Sequence, residues 1–154
     1  MFLKEYKSKR NFIKTSEPKG SIKNKNRSIF VVHKHNAQNL HWDLRLAMNG
    51  VLKSWAIPKK PPMKSNLKRL AIMVEDHPLE YAKFHGTIPK GEYGAGKVEI
   101  WDKGKYQIEE GTLEKGHLQI GFSGDKLKEK YHLIRTNFKG TQNSWLFFKA
   151  KAKS

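Results

Sequence analysis

The sequence contains no cysteine, and this absence excludes two ways of holding a small protein together. Disulfide bonds and thiolate zinc sites both need cysteine, so the fold must depend on an ordinary buried core. A chain of 154 residues is long enough to bury one such core. We therefore expect a single compact domain, and the lack of cysteine agrees with a reducing compartment.

Long apolar runs are also missing. No run approaches the roughly 20 apolar residues that a helix needs to span a bilayer. The N-terminal segment, residues 1–7, is too highly charged for a signal peptide. We expect a cytoplasmic protein without a membrane partner.

Acidic residues are few: 14 Asp and Glu stand against 31 Lys and Arg, which gives a formal net charge of +17. Residues 1–27 and residues 126–154 each carry +7, which leaves +3 for the 98 residues between them. Such basic flanks are typical of proteins that bind nucleic acid, because Lys and Arg displace counterions from phosphates. A solubilising surface is the plain alternative, and an anionic membrane is a weaker one because neither flank shows an apolar helical stripe.

The composition changes at Ser28. Residues 1–27 are rich in Lys, Ser, Asn and Gly and show little apolar periodicity, which predicts a basic N-terminal arm that becomes ordered on a partner. Residues 28–154 are predicted to form a single β-barrel domain.

Short runs of β-forming residues follow one another from residue 29 onward. Asn49 and Gly50 form a strong type I′ turn signal between two of these runs, 40–48 and 51–57. This pattern predicts an all-β fold, a closed antiparallel β-barrel of about eight strands with little helix, or a sandwich as the alternative. The predicted helical turn covers 79–84, and the other predicted strands are 29–34, 70–75, 97–101, 105–108, 118–122, 131–135 and 145–149.

Within the stretch from His35 to Arg45, polar and apolar residues alternate from Leu40 onward. In a strand, His41, Asp43 and Arg45 would share one face, because successive side chains point to opposite sides. The opposite face would be buried in the core, and it consists of Leu40, Trp42, Leu44 and Leu46.

The polar face has the chemistry of a metal and phosphate site. Imidazole and carboxylate groups bind divalent Mn, Fe and Zn, while a guanidinium group binds phosphate. The turn-prone link 36–39 can fold His35 back over the strand that carries His41 and Asp43, which predicts a three-ligand metal site. A solvated strand face is the alternative. His33 is either a fourth ligand or an ordinary strand residue.

A second group of ionisable residues, Glu75, Asp76 and His77, lies before Pro78 at the end of an apolar run. Catalytic groups often gather at the rim of a barrel, where strands end. There His77 would bind phosphate as imidazolium or act as a general acid, and either carboxylate would orient a metal-binding histidine. A strand cap and turn is an equally good interpretation.

The glycine-rich stretch 86–96 lacks the Gly-Lys-Ser/Thr ending of a nucleotide-binding loop, and no helical pattern follows it. A structural turn is therefore its default interpretation. Lys90 within it remains a candidate contact to a phosphate backbone.

In their order along the chain, these motifs resemble the 3′-phosphoesterase domain at the N-terminus of bacterial DNA ligase D, which also occurs as a free-standing protein in archaea and some bacteria. The resemblance extends over nearly the whole chain. The blocks that carry it are 6–12, 15–18, 30–35, 41–45, 55–59, 75–81 and 88–96.

This family is built on a β-barrel and uses Mn²⁺. It removes a 3′-terminal ribonucleoside from a primer strand to leave a 3′-phosphate, and then removes that phosphate to leave a 3′-hydroxyl for ligation. The resemblance thus implies a metal-dependent hydrolase of DNA repair and end joining, with Mn²⁺ or another divalent metal as cofactor. The expected partner is primer-template DNA with a 3′ ribonucleotide or a 3′-phosphate. We expect a monomer, with separate ligase and polymerase proteins as further partners. No polymerase or ligase domain accompanies the chain, so end joining and a different repair setting both stay open.

The resemblance also implies roles for individual residues. His35, His41 and Asp43 correspond to manganese ligands, and Arg45 and His77 to contacts of the scissile phosphate, with Tyr81 beside them. Lys59, Arg69, Glu75 and Asp76 correspond to further active-site residues, while Arg10 and Glu17 lie in the arm that supports ribonuclease action. The chain departs from the family at His33, where Gln is common, and at Ser16, where Pro is usual.

Two other functions remain open at this point. One is a basic β-barrel that binds nucleic acid without turnover. The other is a non-haem iron oxygenase, in which His41 and Asp43 would join a distant histidine in a facial triad. Within the phosphoesterase hypothesis, the 2′-hydroxyl of the ribonucleotide is either a nucleophile or a binding handle.

Overall fold

The computed structural model describes residues 28–136 and 143–151. Within these ranges the chain forms nine strands and one short 3₁₀ helix, Leu79–Lys83. The predicted arm, with Arg10 and Glu17, lies outside the described residues. The strands are β1 (Ile29–Asn36), β2 (Leu40–Met48), β3 (Val51–Ile57), β4 (Lys68–His77), β5 (Gly86–Ile88), β6 (Gly96–Thr112), β7 (His117–Gly124), β8 (Lys128–Arg135) and β9 (Ser144–Lys149).

Eight of the strands close into a barrel. They follow one another in the order β1, β2, β3, β4, β9, β8, β7, β6, and β6 pairs back with β1. Every pairing is antiparallel, and β5 adds to the first residues of β6. The prediction of a closed antiparallel eight-stranded barrel is confirmed, and closure leaves the eight strands without an open edge.

The prediction for the segment that forms β6 was wrong. The sequence indicated two strands, 97–101 and 105–108, with a turn between them, but the structure has one continuous strand of 17 residues. Its first half pairs with β1 and its second half with β7, with a bulge near Trp101. Gly104 lies where a side chain would collide with the backbone carbonyl of Ser123, so this glycine permits close strand packing and does not mark a turn.

The inner face of the barrel forms the main core. Trp42 and Leu44 of β2 point inward as predicted, and Trp55 meets Trp145 edge to face at 5.7 Å across this core. Each large side chain buried here contributes about 2 kcal/mol to folding. The prediction for Leu40 was wrong: it is 42% exposed, because it is the first residue of β2 and lies at the end of the barrel.

A second apolar cluster lies on the outer face of the barrel wall. There the 3₁₀ helix and the chain that follows it cover parts of β1, β2, β3 and β6. The helical turn predicted at 79–84 is thus confirmed, and it shields the outer wall from water. No helix among the described residues is both long enough and apolar enough to cross a membrane. The members of this outer layer are Val31, Ala47, Leu52, Leu79, Tyr81, Ala82, Phe84, Ile88 and Val98.

The carboxylate of Asp102 fastens β6 to the connection between β7 and β8. It is 4% exposed and accepts hydrogen bonds from the backbone N–H groups of Lys103 (2.9 Å), Asp125 (2.9 Å), Lys126 (3.1 Å) and Leu127 (2.7 Å). Several backbone donors therefore depend on a single side chain for their partners.

We expect Asp102→Ala to lower the free energy of unfolding by about 3 kcal/mol, because buried N–H groups lose a charged acceptor. Urea unfolding followed by tryptophan fluorescence measures this change. Asp125→Ala removes an exposed carboxylate from the same connection and is the matched control. Equal stability of the two variants would show that the carboxylate of Asp102 does not stabilise the connection.

Candidate metal centre and phosphate site

The hairpin of β1 and β2 brings together the three predicted metal ligands. His35 and His41 are directly opposite each other in the antiparallel pair, with ring centroids 4.7 Å apart. Asp43 follows two residues later on the same outer face. One ligand atom from each residue lies within 4.8 Å of the others, so the three side chains converge on one point.

Backbone carbonyls orient both imidazole rings. Nε2 of His35 donates to the carbonyl of Gly94 at 2.8 Å, and Nδ1 of His41 donates to the carbonyl of Asn39 at 3.0 Å. A carbonyl oxygen only accepts, so these nitrogens carry the ring protons. The other nitrogens, Nδ1 of His35 and Nε2 of His41, face Oδ2 of Asp43 at 3.7 Å and 3.3 Å. This outer support is typical of metal-binding histidines, and two imidazoles with a carboxylate fit a divalent cation.

Asp43 remains ionised although it is only 5% exposed. Burial opposes its ionisation, but the charge of Arg45 and the contacts with His35 and His41 outweigh burial and hold the pKa of Asp43 well below its ordinary value. The hydrogen bond with Asp43 in turn raises the pKa of His41, against the effect of burial. The carboxylate thus attracts a positive charge, either a proton or a metal ion, to the space between the rings.

Arg45 lies beside this group and is 4% exposed. Its Nη1 donates to Oγ of Ser54 at 2.9 Å, and its Nη2 donates to Oδ2 of Asp43 at 3.4 Å. Its Nε donates to Nδ1 of His33 at 3.1 Å, and the guanidinium lies 4.9 Å from the ring centre of Tyr81. The guanidinium is therefore held in one orientation before any substrate binds.

His33 supports Arg45 and is not part of the ligand cluster. Its Nε2 donates to the carbonyl of Phe84 at 3.0 Å, and its Nδ1 accepts from Arg45. Burial, assisted by the charge of Arg45, lowers the pKa of His33 to about 3, so the ring is neutral. A glutamine amide also offers one donor group and one acceptor, so Gln at this position could form the same two hydrogen bonds.

His77 and Tyr81 complete the cavity next to the three ligands. Nδ1 of His77 donates to the carbonyl of Glu75 at 3.0 Å, and the His77 and Tyr81 rings pack edge to face at 4.8 Å. The cavity measures about 270 Å³. Its lining consists of His35, His41, Asp43, Arg45, Glu75, His77 and Tyr81 together with Ala37, Ala56, Val74, Ile88, Tyr93 and Gly94.

Of the predicted site residues that the structure describes, Lys59, Arg69 and Asp76 do not line this cavity. Lys59 is exposed after the end of β3, and Nε of Arg69 donates to the carbonyl of Lys60 at 2.9 Å. Asp76 forms an ion pair with Lys53 at 3.0 Å, at a register shift between β3 and β4. Glu75 and His77, which are two residues apart in β4 and so share a face, do line the cavity. Active-site roles for these three residues remain predictions.

Three residues of the site, Ser54, Gly94 and Tyr93, were not predicted from the sequence. Ser54 holds Arg45, and its signal was a single hydroxyl within an apolar strand. Gly94 belongs to the stretch that was interpreted as a structural turn, yet its carbonyl orients His35 and the neighbouring Tyr93 lines the cavity. A backbone carbonyl leaves no mark in the sequence, so the role of Gly94 could not be predicted.

Comparison with known proteins identifies the family and several relatives of the chain. The family described as "DNA Ligase D 3'-phosphoesterase domain" matches residues 33–135. The "Multifunctional non-homologous end joining protein LigD" of Pseudomonas aeruginosa PAO1 is 49% identical over 156 residues, covering 97% of this chain and 18% of that protein. The protein of the same name from Mycolicibacterium smegmatis is 42% identical over 160 residues, covering 97% of this chain and 20% of that protein.

A third relative is the "Multifunctional non-homologous end joining DNA repair protein LigD" of Mycobacterium tuberculosis H37Rv. It is 45% identical over 139 residues, covering 88% of this chain and 18% of that protein. The chain therefore spans about a fifth of the length of these relatives. With a family match over residues 33–135 and nearly full coverage by such relatives, the chain belongs to the DNA ligase D 3′-phosphoesterase domain family.

Proposed function

We propose that the chain is a manganese-dependent phosphoesterase that repairs DNA 3′ ends. It removes a 3′-terminal ribonucleoside to leave a 3′-phosphate, and then removes the phosphate to leave a 3′-hydroxyl. The observation that carries the proposal is the buried Asp43 carboxylate, which lies between two carbonyl-oriented imidazoles and a fixed guanidinium. Family membership supports an action on DNA ends.

His35, His41 and Asp43 are the residues that would hold Mn²⁺. Their donor set of two imidazole nitrogens and one carboxylate suits this metal, and both rings are already oriented by backbone carbonyls. A bound divalent ion acts as a Lewis acid on a phosphoryl oxygen.

Arg45 and His77 would bind the scissile phosphate. Three hydrogen-bond partners hold the guanidinium of Arg45, so its charge stabilises developing negative charge without first having to reorient. The Nδ1 proton of His77 is engaged by the carbonyl of Glu75, so Nε2 would carry the proton that His77 exchanges with a leaving oxygen. The outer layer limits access of water to these charges, which strengthens their effect.

The buried guanidinium beside the metal ligands favours a phosphoester over an oxygenase reaction. The fixed orientation of several side chains likewise favours turnover over binding alone. We also propose that the substrate is primer-template DNA, and that a basic arm at residues 1–27, with Arg10 and Glu17, supports ribonuclease action on it. Ligase and polymerase proteins would be further partners. A cytoplasmic monomer also remains a prediction.

We expect the chain to process a 5′-labelled primer-template that ends in one ribonucleotide, with Mn²⁺ present and not with EDTA. A denaturing gel should show loss of the terminal nucleoside, and then conversion of the 3′-phosphate to a 3′-hydroxyl. Asp43→Asn should lower both rates by about 100-fold because it removes the charged metal ligand, and Arg45→Lys should do the same because lysine keeps the charge but loses the guanidinium that is held beside the phosphate. Asp125→Asn, which changes an exposed carboxylate, is the control.

Full activity of Asp43→Asn in Mn²⁺ would contradict the ligand assignment. A primer that binds but stays unchanged in every divalent metal would favour the non-catalytic barrel. Oxygen consumption with Fe²⁺ would favour the oxygenase.

We expect His33→Gln to keep activity within about threefold of the parent, because an amide makes both hydrogen bonds of the neutral imidazole. His33→Leu has no polar atom for Nε of Arg45 or the carbonyl of Phe84, and should lower kcat about tenfold or more. Mn²⁺ affinity should be similar in both variants. A large loss of affinity in His33→Gln would instead identify His33 as a metal ligand.

We expect the affinity for Mn²⁺ to rise with pH. The raised pKa of His41 means that a proton is held more tightly than on a free imidazole, and this proton must leave before the metal binds. Below that pKa the affinity should fall by about tenfold per pH unit, and above it the affinity should level off. Titration of Mn²⁺ followed by electron paramagnetic resonance measures this, and a flat profile from about pH 6 to pH 8 would contradict it.

A further inference from the structure

Tyr93 stands at the mouth of the site. It lines the cavity, and it is also 48% exposed, which is unusual for a large aromatic residue. It lies in the loop that connects β5 with β6, and the mechanism above gives it no role. A ring that is half exposed beside a candidate active site can meet a bound substrate.

The loop that carries Tyr93 has a defined shape. Glu92 N–H donates to the carbonyl of Pro89 at 3.1 Å, and Ala95 N–H donates to the carbonyl of Glu92 at 3.1 Å, so two turns follow each other. Gly94 adopts a φ of 77° and presents its carbonyl to His35. Tyr93 is therefore one residue away from a group that orients a metal ligand.

The lining of the cavity combines two kinds of residue. The polar residues are the candidate metal ligands with Arg45, Glu75 and His77, and the apolar residues are Ala37, Ala56, Val74 and Ile88 with the ring of Tyr93. The volume of about 270 Å³ lies just below the usual range for sites that enclose a whole drug-sized ligand. A cavity of this size is small for a whole nucleotide, so a nucleotide with its phosphate at Arg45 would extend its base toward the half-exposed ring of Tyr93.

We propose that Tyr93 binds the terminal base of the strand whose phosphate lies at Arg45, by stacking its ring on the base. The inference rests on the proposed function and adds a recognition contact to it. Every base has an aromatic face, so stacking would hold a strand end without regard to sequence. An end-repair enzyme that meets arbitrary ends needs a contact of this kind.

The test compares Tyr93→Ala with the parent on two matched duplexes. Both carry a 3′-phosphate, one on an ordinary terminal nucleotide and the other on an abasic tetrahydrofuran residue. We expect the variant to raise KM about tenfold on the ordinary end, with little change in kcat, and to change KM by less than about twofold on the abasic end. Tyr93→Phe, which keeps the ring, should restore the parent KM.

Mn²⁺ affinity of each variant is measured in parallel, because Tyr93 is next to the residue that orients His35. An equal rise of KM on the two duplexes, or a weaker affinity for Mn²⁺, would overturn the base contact and show that the substitution acts through the loop. An unchanged KM on the ordinary end would also overturn it. If the parent itself turns over neither duplex, the proposed function fails, whereas activity of the parent without a base-dependent loss refutes the stacking contact alone.

Discussion

The carboxylate of Asp43 lies inside the protein, and the arrangement around it follows from the cost of placing a charge there. A buried carboxylate without partners is strongly unfavourable, so the fold must supply positive charge and hydrogen bonds. Arg45, His35 and His41 supply them, and each is in turn fixed by a further group, such as Ser54 for the guanidinium. The fixed orientation of these side chains therefore follows from the need to stabilise one buried charge.

The outer layer makes this arrangement possible. Residues on the outside of a barrel normally meet water, which would weaken each of these electrostatic contacts. Here the 3₁₀ helix places Tyr81 over Arg45, and the chain after it provides the carbonyl of Phe84 to His33. The same segment thus serves as an apolar cover and as a source of hydrogen-bond partners, so packing on the barrel wall and chemistry in the cavity depend on each other.

Much of the fold and part of the site could be predicted from the sequence, because both depend on the alternation of polar and apolar residues along the strands, which has a period of two. Alternation along β2 placed His41 and Asp43 on one face, and the short link after β1 placed His35 beside them. The sequence could not show that this face is the covered outer wall, since that depends on contacts with residues some 40 positions away. Nor could it show the role of Gly94, or the register shift that pairs Asp76 with Lys53, because backbone carbonyls and strand bulges have no clear sequence pattern.

We propose that one metal ion occupies the space between the two imidazoles and the carboxylate. A crystal grown with Mn²⁺ and measured at a wavelength where manganese scatters anomalously tests it directly. We expect one strong anomalous peak in bonding contact with Nδ1 of His35, Nε2 of His41 and a carboxylate oxygen of Asp43, with Arg45 still bound to His33 and Ser54. A peak elsewhere with these three side chains unmoved, or a peak bound by His33, would contradict it.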